Sequence, residues 1–342
     1  MKQKIIAIDA MGGDHGPIVT VPAAKIALTE IPGLQLVLVG DKAVLTEALK
    51  ANGLENEARI SIQHASEVVD MNEAPAQALK KKKDSSMRVA INLVKQNRVQ
   101  ACVSAGNTGA LMATSKFVLK TIKGISRPAI CGMLPAISGQ TYMLDLGANI
   151  ESTPESLLEF AVMGSVFAQS VEGIDKPTVG LLNVGSEDMK GSDSIKRASQ
   201  LIAATSLNYH GFVEGDDIYK GTVNVVVADG FVGNVSLKTG EGLASLVKHV
   251  LQTEFKRNLF TKTLALIALP VLNAVKKTLD PRRYNGASLL GLNGIVVKSH
   301  GGADTSSFLN AIKIASIEIE NEVPQRISHE VEYHLTQKET AE

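Results

Sequence analysis

Short β-rich runs alternate with helical patterns along almost the whole chain. Each run ends in a small or polar turn, and most are separated by a segment whose apolar residues recur with a helical period. The β-rich runs cover residues 5–8, 34–39, 60–63, 101–104, 142–146, 179–183 and 223–228. The helical patterns cover residues 17–28, 86–97, 154–171, 194–204, 233–255 and 305–321. Such alternation is typical of a mostly parallel sheet whose crossover connections are helices.

Two of the predicted strands are apolar along their whole length rather than at every second residue. They are residues 36–39 and 225–227, and such runs indicate a sheet with helices on both faces. We therefore predict an α/β protein with a doubly wound, mostly parallel sheet. No linker or repeat divides the chain, so residues 1–342 are expected to form one catalytic domain, from which residues 256–283 project as a hydrophobic and basic helical segment.

The charge balance and the cysteines limit the function and its compartment. Lysine plus arginine equals aspartate plus glutamate at 35 each, so no overall field draws the chain to nucleic acid, and no nucleic-acid partner is expected. Cys102 and Cys131 each lie in an apolar stretch, which suits buried thiols in a reducing compartment better than a disulfide. The apolar start at residues 5–8 is too short for a signal peptide. These features predict a cytoplasmic protein.

Glycine-rich turns follow five of the predicted strands. Ligands of open α/β sheets bind beyond the carboxyl ends of the strands, so we expect these turns to converge on one pocket. Asp9, Asp145 and Asp229 begin three of them, where carboxylates commonly orient a loop by accepting backbone N–H bonds. The five turns are residues 9–16, 104–109, 145–149, 183–188 and 229–234.

The turn at residues 104–109 is the candidate phosphate site. Its glycines, among them Gly106, let backbone N–H groups approach an anion, and a helix that begins near Thr108 adds its dipole. Ser104, Asn107 and Thr108 supply side-chain donors. The alternative is that the glycines only permit a tight turn and that Thr108 only caps the helix.

Lys190, His15 and His300 are further candidates for chemistry. Lys190 follows a glycine-rich turn, where its charge can neutralise a phosphate or a thioester oxyanion; otherwise it is a solvated loop lysine. His15 and His300 each have an aspartate nearby in the sequence, and an imidazole beside a carboxylate can shuttle a proton. Otherwise they are turn histidines bonded to the backbone.

Several well-known signatures are missing from the chain. There is no G-x-G-x-x-G, G-x-x-x-x-G-K-[ST], G-x-S-x-G or H-E-x-x-H motif, which argues against dinucleotide-binding, P-loop, serine hydrolase and zincin functions. No cysteine and histidine cluster has metal-ligand spacing. We predict neither a metal nor a cofactor.

A run of four lysines comprises Lys80, Lys81, Lys82 and Lys83. It is expected to end a helix, where cations interact favourably with the helix dipole. An acidic carrier protein would also be attracted to such a run, and docking through these charges would weaken as salt rises. The sequence is compatible with a solvated helix end and with a docking site.

Residues 263–275 form an apolar segment between basic flanks that include Lys262 and Lys276. The segment is shorter than the roughly 20 residues that a spanning helix needs, and Pro270 is expected to break it into two short helices. Apolar side chains between basic flanks are typical of an interfacial membrane element; a hairpin packed inside a dimer is the alternative. The predicted membrane contacts are Leu264, Leu266, Ile267, Leu269 and Val271.

Seven motifs occupy residues 9–15, 83–87, 104–112, 182–188, 228–234, 284–292 and 298–302. Their order and spacing resemble those of the PlsX-type acyl-acyl-carrier-protein:phosphate acyltransferases. That resemblance implies a fold similar to the phosphate acetyltransferases and the isocitrate dehydrogenase group, and a homodimer. It also implies reversible transfer of a long-chain fatty acyl group from a carrier-protein thioester to inorganic phosphate, for membrane phospholipid synthesis.

Further expectations concern the partners and the side chains that take part in this reaction. The partners would be acyl-carrier protein, inorganic phosphate, a second copy of the chain, the inner membrane surface and a downstream membrane acyltransferase. Positioning and oxyanion stabilisation should dominate, because phosphate is already an anionic nucleophile and a thiolate leaves readily. For this reaction we expect the 104–109 turn to hold phosphate, Lys190, Asn183 and Asn234 to face the thioester, and His15 to manage protons. A short-chain acyl-CoA phosphate acyltransferase and a non-enzymatic membrane scaffold are the alternatives.

Overall fold

The computed structural model describes residues 3–278 and 280–341, so residue 279 of the predicted projection lies outside the described residues. The strands are β1 Lys4–Asp9, β2 Leu34–Gly40, β3 Ile60–His64, β4 Ala101–Ser104, β5 Ala129–Ala136, β6 Gly139–Leu144, β7 Val179–Leu182, β8 Tyr209–Val213, β9 Val225–Val227, β10 Ala287–Leu290 and β11 Ile295–Lys298. The helices are α1 Pro17–Glu30, α2 Lys42–Ala51, α3 Pro75–Lys81, α4 Ser86–Lys95, α5 Thr108–Leu119, α6 Pro154–Glu172, α7 Asp193–Ala203, α8 Asp217–Lys220, α9 Gly230–Lys256, α10 Leu259–Ile267, α11 Leu269–Thr278, α12 Thr305–Glu320 and α13 Val323–Ala341. A short 3-10 helix covers Pro281–Tyr284.

All the described strands join one sheet in the order β3-β2-β1-β4-β11-β10-β5-β6-β9-β7-β8. Side chains alternate between its two faces: Ile6 and Ile8 pack into one apolar cluster, and Ala7 packs into the other. Helices α1, α6, α7, α12 and α13 bury their apolar residues in the first cluster, and α3, α4, α5 and α8 bury theirs in the second. The predicted doubly wound α/β architecture is therefore confirmed.

The direction of the strands reverses in the middle of the sheet. Strands β3, β2, β1, β4 and β11 run parallel to one another, and so do β6, β9, β7 and β8. Between these two groups, the β11–β10, β10–β5 and β5–β6 pairings are antiparallel, so the groups point in opposite directions. The carboxyl ends of the first group form what we call the first edge of the sheet, and those of the second group form the second edge.

This reversal corrects the prediction that five glycine-rich turns converge on one pocket. The turns that follow Asp9 and Ser104 lie at the first edge, whereas those at Asp145, Asn183 and Asp229 lie at the second edge. Ser104 and Asn183 are also six strand positions apart, which is about 29 Å at 4.8 Å per strand. One chain therefore presents two separate groups of candidate residues.

Helix α9 starts at the second edge and is exposed over most of its length. The Asp229 side chain caps it by accepting the Val232 N–H at 2.8 Å, and only Gly230 and Gly233 in it are buried. Its periodic apolar stripe is exposed, so this stripe does not pack in the core of its own chain. The exposed residues of the stripe are Leu243, Leu246, Val247 and Val250, and Leu251, which completes the stripe, is half-buried.

Helices α10 and α11 extend from α9. The break between them falls beside Pro270, as predicted, and the two axes differ by 73°. Within the described residues no single helix is long and apolar enough to cross a membrane. The bent pair Leu259–Ile267 and Leu269–Lys276 reaches that length and apolar composition only when the two helices are taken together. The five predicted membrane contacts, Leu264, Leu266, Ile267, Leu269 and Val271, are all exposed.

Candidate active site

Three polar side chains stand in one row at the first edge. Asp9 ends β1, Ser104 ends β4 and Lys298 ends β11, and these residues are register partners on three adjacent parallel strands. Residues in register point to the same face of a sheet. All three are at least nine-tenths buried, with Asp9 1%, Ser104 0% and Lys298 8% exposed. A carboxylate, a hydroxyl and an ammonium group therefore line the base of this edge.

Asp9 anchors the row. Its Oδ2 atom accepts a hydrogen bond from the Ser104 hydroxyl at 2.6 Å, whereas its buried Oδ1 has no hydrogen-bond partner among the described residues. Burial raises the pKa of Asp9, although the hydroxyl groups of Ser104 and Ser86 partly offset this shift. A Cβ atom at Gly12 would lie 2.4 Å from Asp9 Oδ2, so the following loop can approach this carboxylate only because residue 12 is glycine.

The predicted phosphate loop is held by its own side chains. The Ser104 hydroxyl accepts the Gly106 N–H at 3.1 Å. Asn107 caps α5 by accepting the Ala110 N–H at 2.9 Å, and its amide donates to the Met71 carbonyl at 2.7 Å. Asn107 is thus engaged as a cap and a tether, and Thr108 is exposed at the first turn of α5. The first N–H groups of a helix have no intrahelical acceptor, so this loop presents backbone donors and a dipole to an anion.

Lys298 was not among the site residues predicted from the sequence. Its ammonium group donates to the carbonyl oxygen atoms of Ala105, at 3.3 Å, and Ser299. Burial lowers the pKa of Lys298 to about 8, while the nearby carboxylates of Asp9 and Asp14 act in the opposite direction. Two sequence features indicate it: this lysine directly follows the apolar run at residues 295–297, and it begins the motif at residues 298–302.

The histidines lie on loops around this row. Asp14 donates its N–H to the Gly301 carbonyl at 2.9 Å, which joins the loop that carries His15 to the loop that carries His300. His300 accepts the Gly302 N–H on Nδ1 at 3.1 Å and donates its own N–H to Asn285. Both imidazoles are exposed. The first edge therefore brings together Ser104, Gly106, Asn107, Thr108 and His15 from the predicted site residues.

The other three predicted catalytic residues lie at the second edge. Lys190 pairs with Glu187 at 2.8 Å, and this bond raises the pKa of the half-exposed lysine. The Asn183 amide donates to the carbonyl groups of Gly185, at 3.1 Å, and Lys190, at 3.2 Å, and so closes their turn. Asn234 is exposed on the second turn of α9, beside the backbone of Gly147.

A cavity of about 510 Å³ opens at the second edge. Ser192 and Ser194 contribute hydroxyl groups to it, and Ile150 and Phe231 contribute large exposed apolar side chains. Asp229, which caps α9, lies at its wall. A partly apolar wall beside polar turns can accept an acyl chain next to a polar reacting group.

Helix α9 connects the two edges. It begins above Asp145 at the second edge, and Gly240, ten residues further on, packs against Tyr219. Between these points Lys238 comes close enough to Lys298 for its charge to lower the pKa of Lys298 further. The helix therefore passes over the first edge before it leaves the body of the protein.

The lysine run lies beside the phosphate loop. Helix α3 ends at Lys81, as predicted, and it begins at Pro75, which packs against Gly109 of the loop. Lys80, Lys81 and Lys83 are exposed.

In the part of the chain that the structure describes, no group of three or more histidine, cysteine, aspartate or glutamate side chains is arranged to hold a metal ion.

The chain is similar to known proteins over almost its whole length. The family described as "Fatty acid synthesis protein" matches residues 4–326. A phosphate acyltransferase from Nitrosococcus oceani is 56% identical over 332 residues, which cover 97% of this chain and 98% of the relative. One from Methylococcus capsulatus is 59% identical over 322 residues, which cover 94% and 95%.

A solved structure confirms the fold. The crystal structure of a phosphotransacetylase from Streptococcus pyogenes superposes with a TM-score of 0.64 over 93% of this chain and 94% of that chain. The two sequences are 17% identical, so this structural similarity is evidence for the fold alone. It agrees with the predicted similarity to the phosphate acetyltransferase fold.

Proposed function

The chain belongs to the fatty acid synthesis protein family, that of the PlsX-type phosphate acyltransferases, and we propose that it transfers a long-chain fatty acyl group from an acyl-carrier-protein thioester. That the chain is an enzyme that transfers an acyl group to phosphate follows from relatives that are more than half identical over nearly its full length. The carrier-protein donor, the acyl length and the roles of individual residues are our proposals.

We assign the phosphate site from the row formed by Asp9, Ser104 and Lys298. In the reaction an oxygen of hydrogen phosphate bonds to the thioester carbonyl carbon and the carbon–sulfur bond breaks. The proton that the phosphate gives up is transferred to the departing thiolate. The nucleophile must be held as an anion, which requires N–H donors and a counter-charge. Backbone N–H groups at the start of α5 and the Lys298 ammonium group at the next strand supply these together.

We assign the individual roles at the first edge as follows. Thr108 and the N–H groups that follow Gly106 bind phosphate, and Ser104 and Asn107 hold the loop in shape through their bonds to Asp9 and Ala110. His15, exposed at the rim, returns a proton to the departing thiolate. No cofactor or metal is required, because phosphate is already an anionic nucleophile and a thiolate leaves readily.

Lys190, Asn183 and Asn234 belong to the thioester side of the reaction in our proposal. Because they lie at the opposite edge of their own sheet, about 29 Å away by strand count, a second copy of the chain must supply them to a given phosphate loop. The exposed apolar stripe of α9 suits the seam of such a homodimer, since α9 runs from one edge to the other. The developing oxyanion would then face the Lys190 ammonium group.

The exposed apolar side chains of α10 and α11 support a peripheral association with the inner face of the cytoplasmic membrane. Leu266 and Ile267 are 67% and 74% exposed, and basic residues such as Lys262 and Lys276 flank the segment. Lysine stems can lie along the apolar region while their ammonium groups meet anionic lipid. A cytoplasmic enzyme bound in this way could hand acyl phosphate to a downstream membrane acyltransferase.

The decisive experiment supplies purified protein with long-chain acyl-carrier protein and inorganic phosphate. We expect release of the carrier and formation of acyl phosphate, and no release when phosphate is omitted. Short-chain acyl-CoA at equal concentration serves as the competing donor. A clear preference for that donor would replace our proposal with the short-chain enzyme. No turnover with any thioester, from folded protein with vesicles present, would leave only a scaffold.

A further inference from the structure

Positive charge is concentrated in one part of a chain whose net charge is zero. Between residues 74 and 127 the sequence has eleven lysines and arginines and only one acidic residue, Asp84. This stretch contains α3, α4, α5 and the phosphate loop, and the three helices pack on the same face of the sheet. The rest of the chain carries the balancing negative charge. The excess of positive charge on these helices attracts an acidic partner to this face.

An exposed aromatic side chain lies within this basic face. Phe117 on α5 is 53% exposed. The guanidinium carbon of Arg88 lies 5.1 Å from the centroid of its ring, and the Lys120 ammonium nitrogen lies 4.9 Å from it. Lys120 reaches this place from a residue with φ of 62°, a conformation that side-chain-bearing residues seldom adopt. The chain thus holds a large apolar ring at the surface between two cations.

We propose that Phe117, Arg88 and Lys120, together with the lysine run at residues 80–83, form the docking surface for the acidic carrier protein that brings the acyl thioester. This inference rests on the proposed function, which makes that protein the acyl donor. Carboxylates of the carrier pair with the cations and steer its approach, and Phe117 provides the apolar anchor. Aromatic residues and arginine are the side chains that most often dominate protein interfaces.

The position of the surface suits delivery of the thioester to the phosphate loop. Phe117 lies nine residues beyond Thr108 along α5, which is about 14 Å at 1.5 Å per residue. At the other side, α3 starts against Gly109 and ends within the lysine run. A carrier docked across α3, α4 and α5 therefore stands beside the loop without covering it, and its tethered acyl group can reach the reacting centre.

An anionic lipid surface is the competing acidic partner. Interfacial binding needs a set of apolar side chains that can enter the bilayer, as well as basic residues. Among the described residues of α3, α4 and α5, Phe117 is the one large exposed apolar side chain, whereas α10 and α11 expose Leu259, Phe260, Leu264, Leu266, Ile267, Leu269, Val271 and Val275. The basic face fits a folded acidic protein better than a bilayer.

The test measures binding of the acyl-carrier protein in the absence of phosphate, so that no turnover occurs. Phe117→Ala and Lys120→Glu are each expected to weaken carrier binding at least about 10-fold. Lys120→Glu should also reduce the dependence of this binding on salt. Both variants should keep the Tm of the wild type. In the full reaction they should raise KM for the carrier and leave kcat unchanged, because neither side chain touches the reacting groups. The matched control is Lys50→Glu, the same charge reversal at an exposed position on α2.

Several results would overturn this inference while the proposed function stands. They are unchanged carrier binding in both variants, an equal loss of binding in Lys50→Glu, or a fall in kcat with KM unchanged. Loss of binding to vesicles that contain anionic lipid, with carrier binding unchanged, would reassign the surface to lipid. Failure of the proposed function has a different signature, because the wild-type protein would then release no carrier on addition of phosphate.

Discussion

Ser104 donates a 2.6 Å hydrogen bond to the carboxylate of Asp9 across two neighbouring parallel strands. On the other side of Ser104, Lys298 stands in register with it. Burial raises the pKa of Asp9 and lowers that of Lys298, so each group is closer to neutrality than it would be in water. An anion placed at this edge favours the charged form of Lys298. The row can therefore respond to phosphate by taking up a proton.

The first prediction concerns the pH dependence of phosphate binding. The pKa of Lys298 is lowered to about 8, so the free enzyme loses this positive charge as the pH rises through about 8. We expect KM for phosphate to rise above that pH in the wild type. Lys298→Met should lower kcat/KM for phosphate by on the order of 100-fold and abolish this pH dependence of KM.

Lys298→Arg separates charge from structure at this position. An arginine stays protonated throughout the accessible pH range. If Lys298→Arg folds, its KM for phosphate should therefore not change as the pH passes through about 8. Steady-state kinetics between pH 6.5 and 9.5 make the comparison. An unchanged wild-type profile in Lys298→Met would remove Lys298 from phosphate binding.

The second prediction concerns the stability of the core. Glu318 on α12 is 2% exposed, accepts a 2.5 Å hydrogen bond from Ser288, and has its pKa raised from 4.5 to about 8 by burial. Between these two values the folded protein keeps a proton that the unfolded chain has released. The free energy of unfolding should therefore fall as pH rises through this window, by up to about 1.4 kcal/mol per pH unit.

Urea unfolding of Glu318→Gln tests this effect. The glutamine side chain cannot ionise. The free energy of unfolding of the variant should therefore vary less between pH 5.5 and 7.5 than that of the wild type. Glu320→Gln is the matched control, because Glu320 lies on the same helix with a largely exposed side chain that pairs with Lys4. The same slope in wild type and Glu318→Gln would show that Glu318 is not the responsible group.

The sequence predicted the architecture but not the separation of the candidate residues. Long helices and wholly apolar strands such as β2 and β9 have clear periods, so the doubly wound sheet could be predicted. Strands β10 and β11 have four residues each, and β5 contains Pro135; none of the three was recognised. These strands contain the antiparallel pairings that reverse the sheet. Because these strands were not recognised, the sequence could not predict that the candidate residues lie at two edges of the sheet. It could not predict that Lys298 lies beside Ser104 either.

The third prediction concerns the projection. Leu266→Glu combined with Ile267→Glu places two charges on side chains that are now 67% and 74% exposed. We expect this variant to lose binding to vesicles that contain anionic lipid, because a charged group is costly in the bilayer interface. Activity with soluble acyl-carrier protein should be unchanged. Val44→Glu, at an exposed position on α2, is the control, and undiminished vesicle binding by the double variant would contradict the proposed membrane contact.

The last prediction follows from the two edges of the sheet. If a phosphate loop and the Lys190 turn that serve one reaction come from different copies of the chain, Lys298→Met and Lys190→Ala should each be nearly inactive alone and regain activity when mixed. After random exchange, half of the dimers are mixed, and each mixed dimer has one site with both lysines intact. Activity per chain should then reach about one quarter of the wild-type value. If both edges of one chain served the same site, every site in the mixed dimer would keep one defect, and mixing would restore nothing.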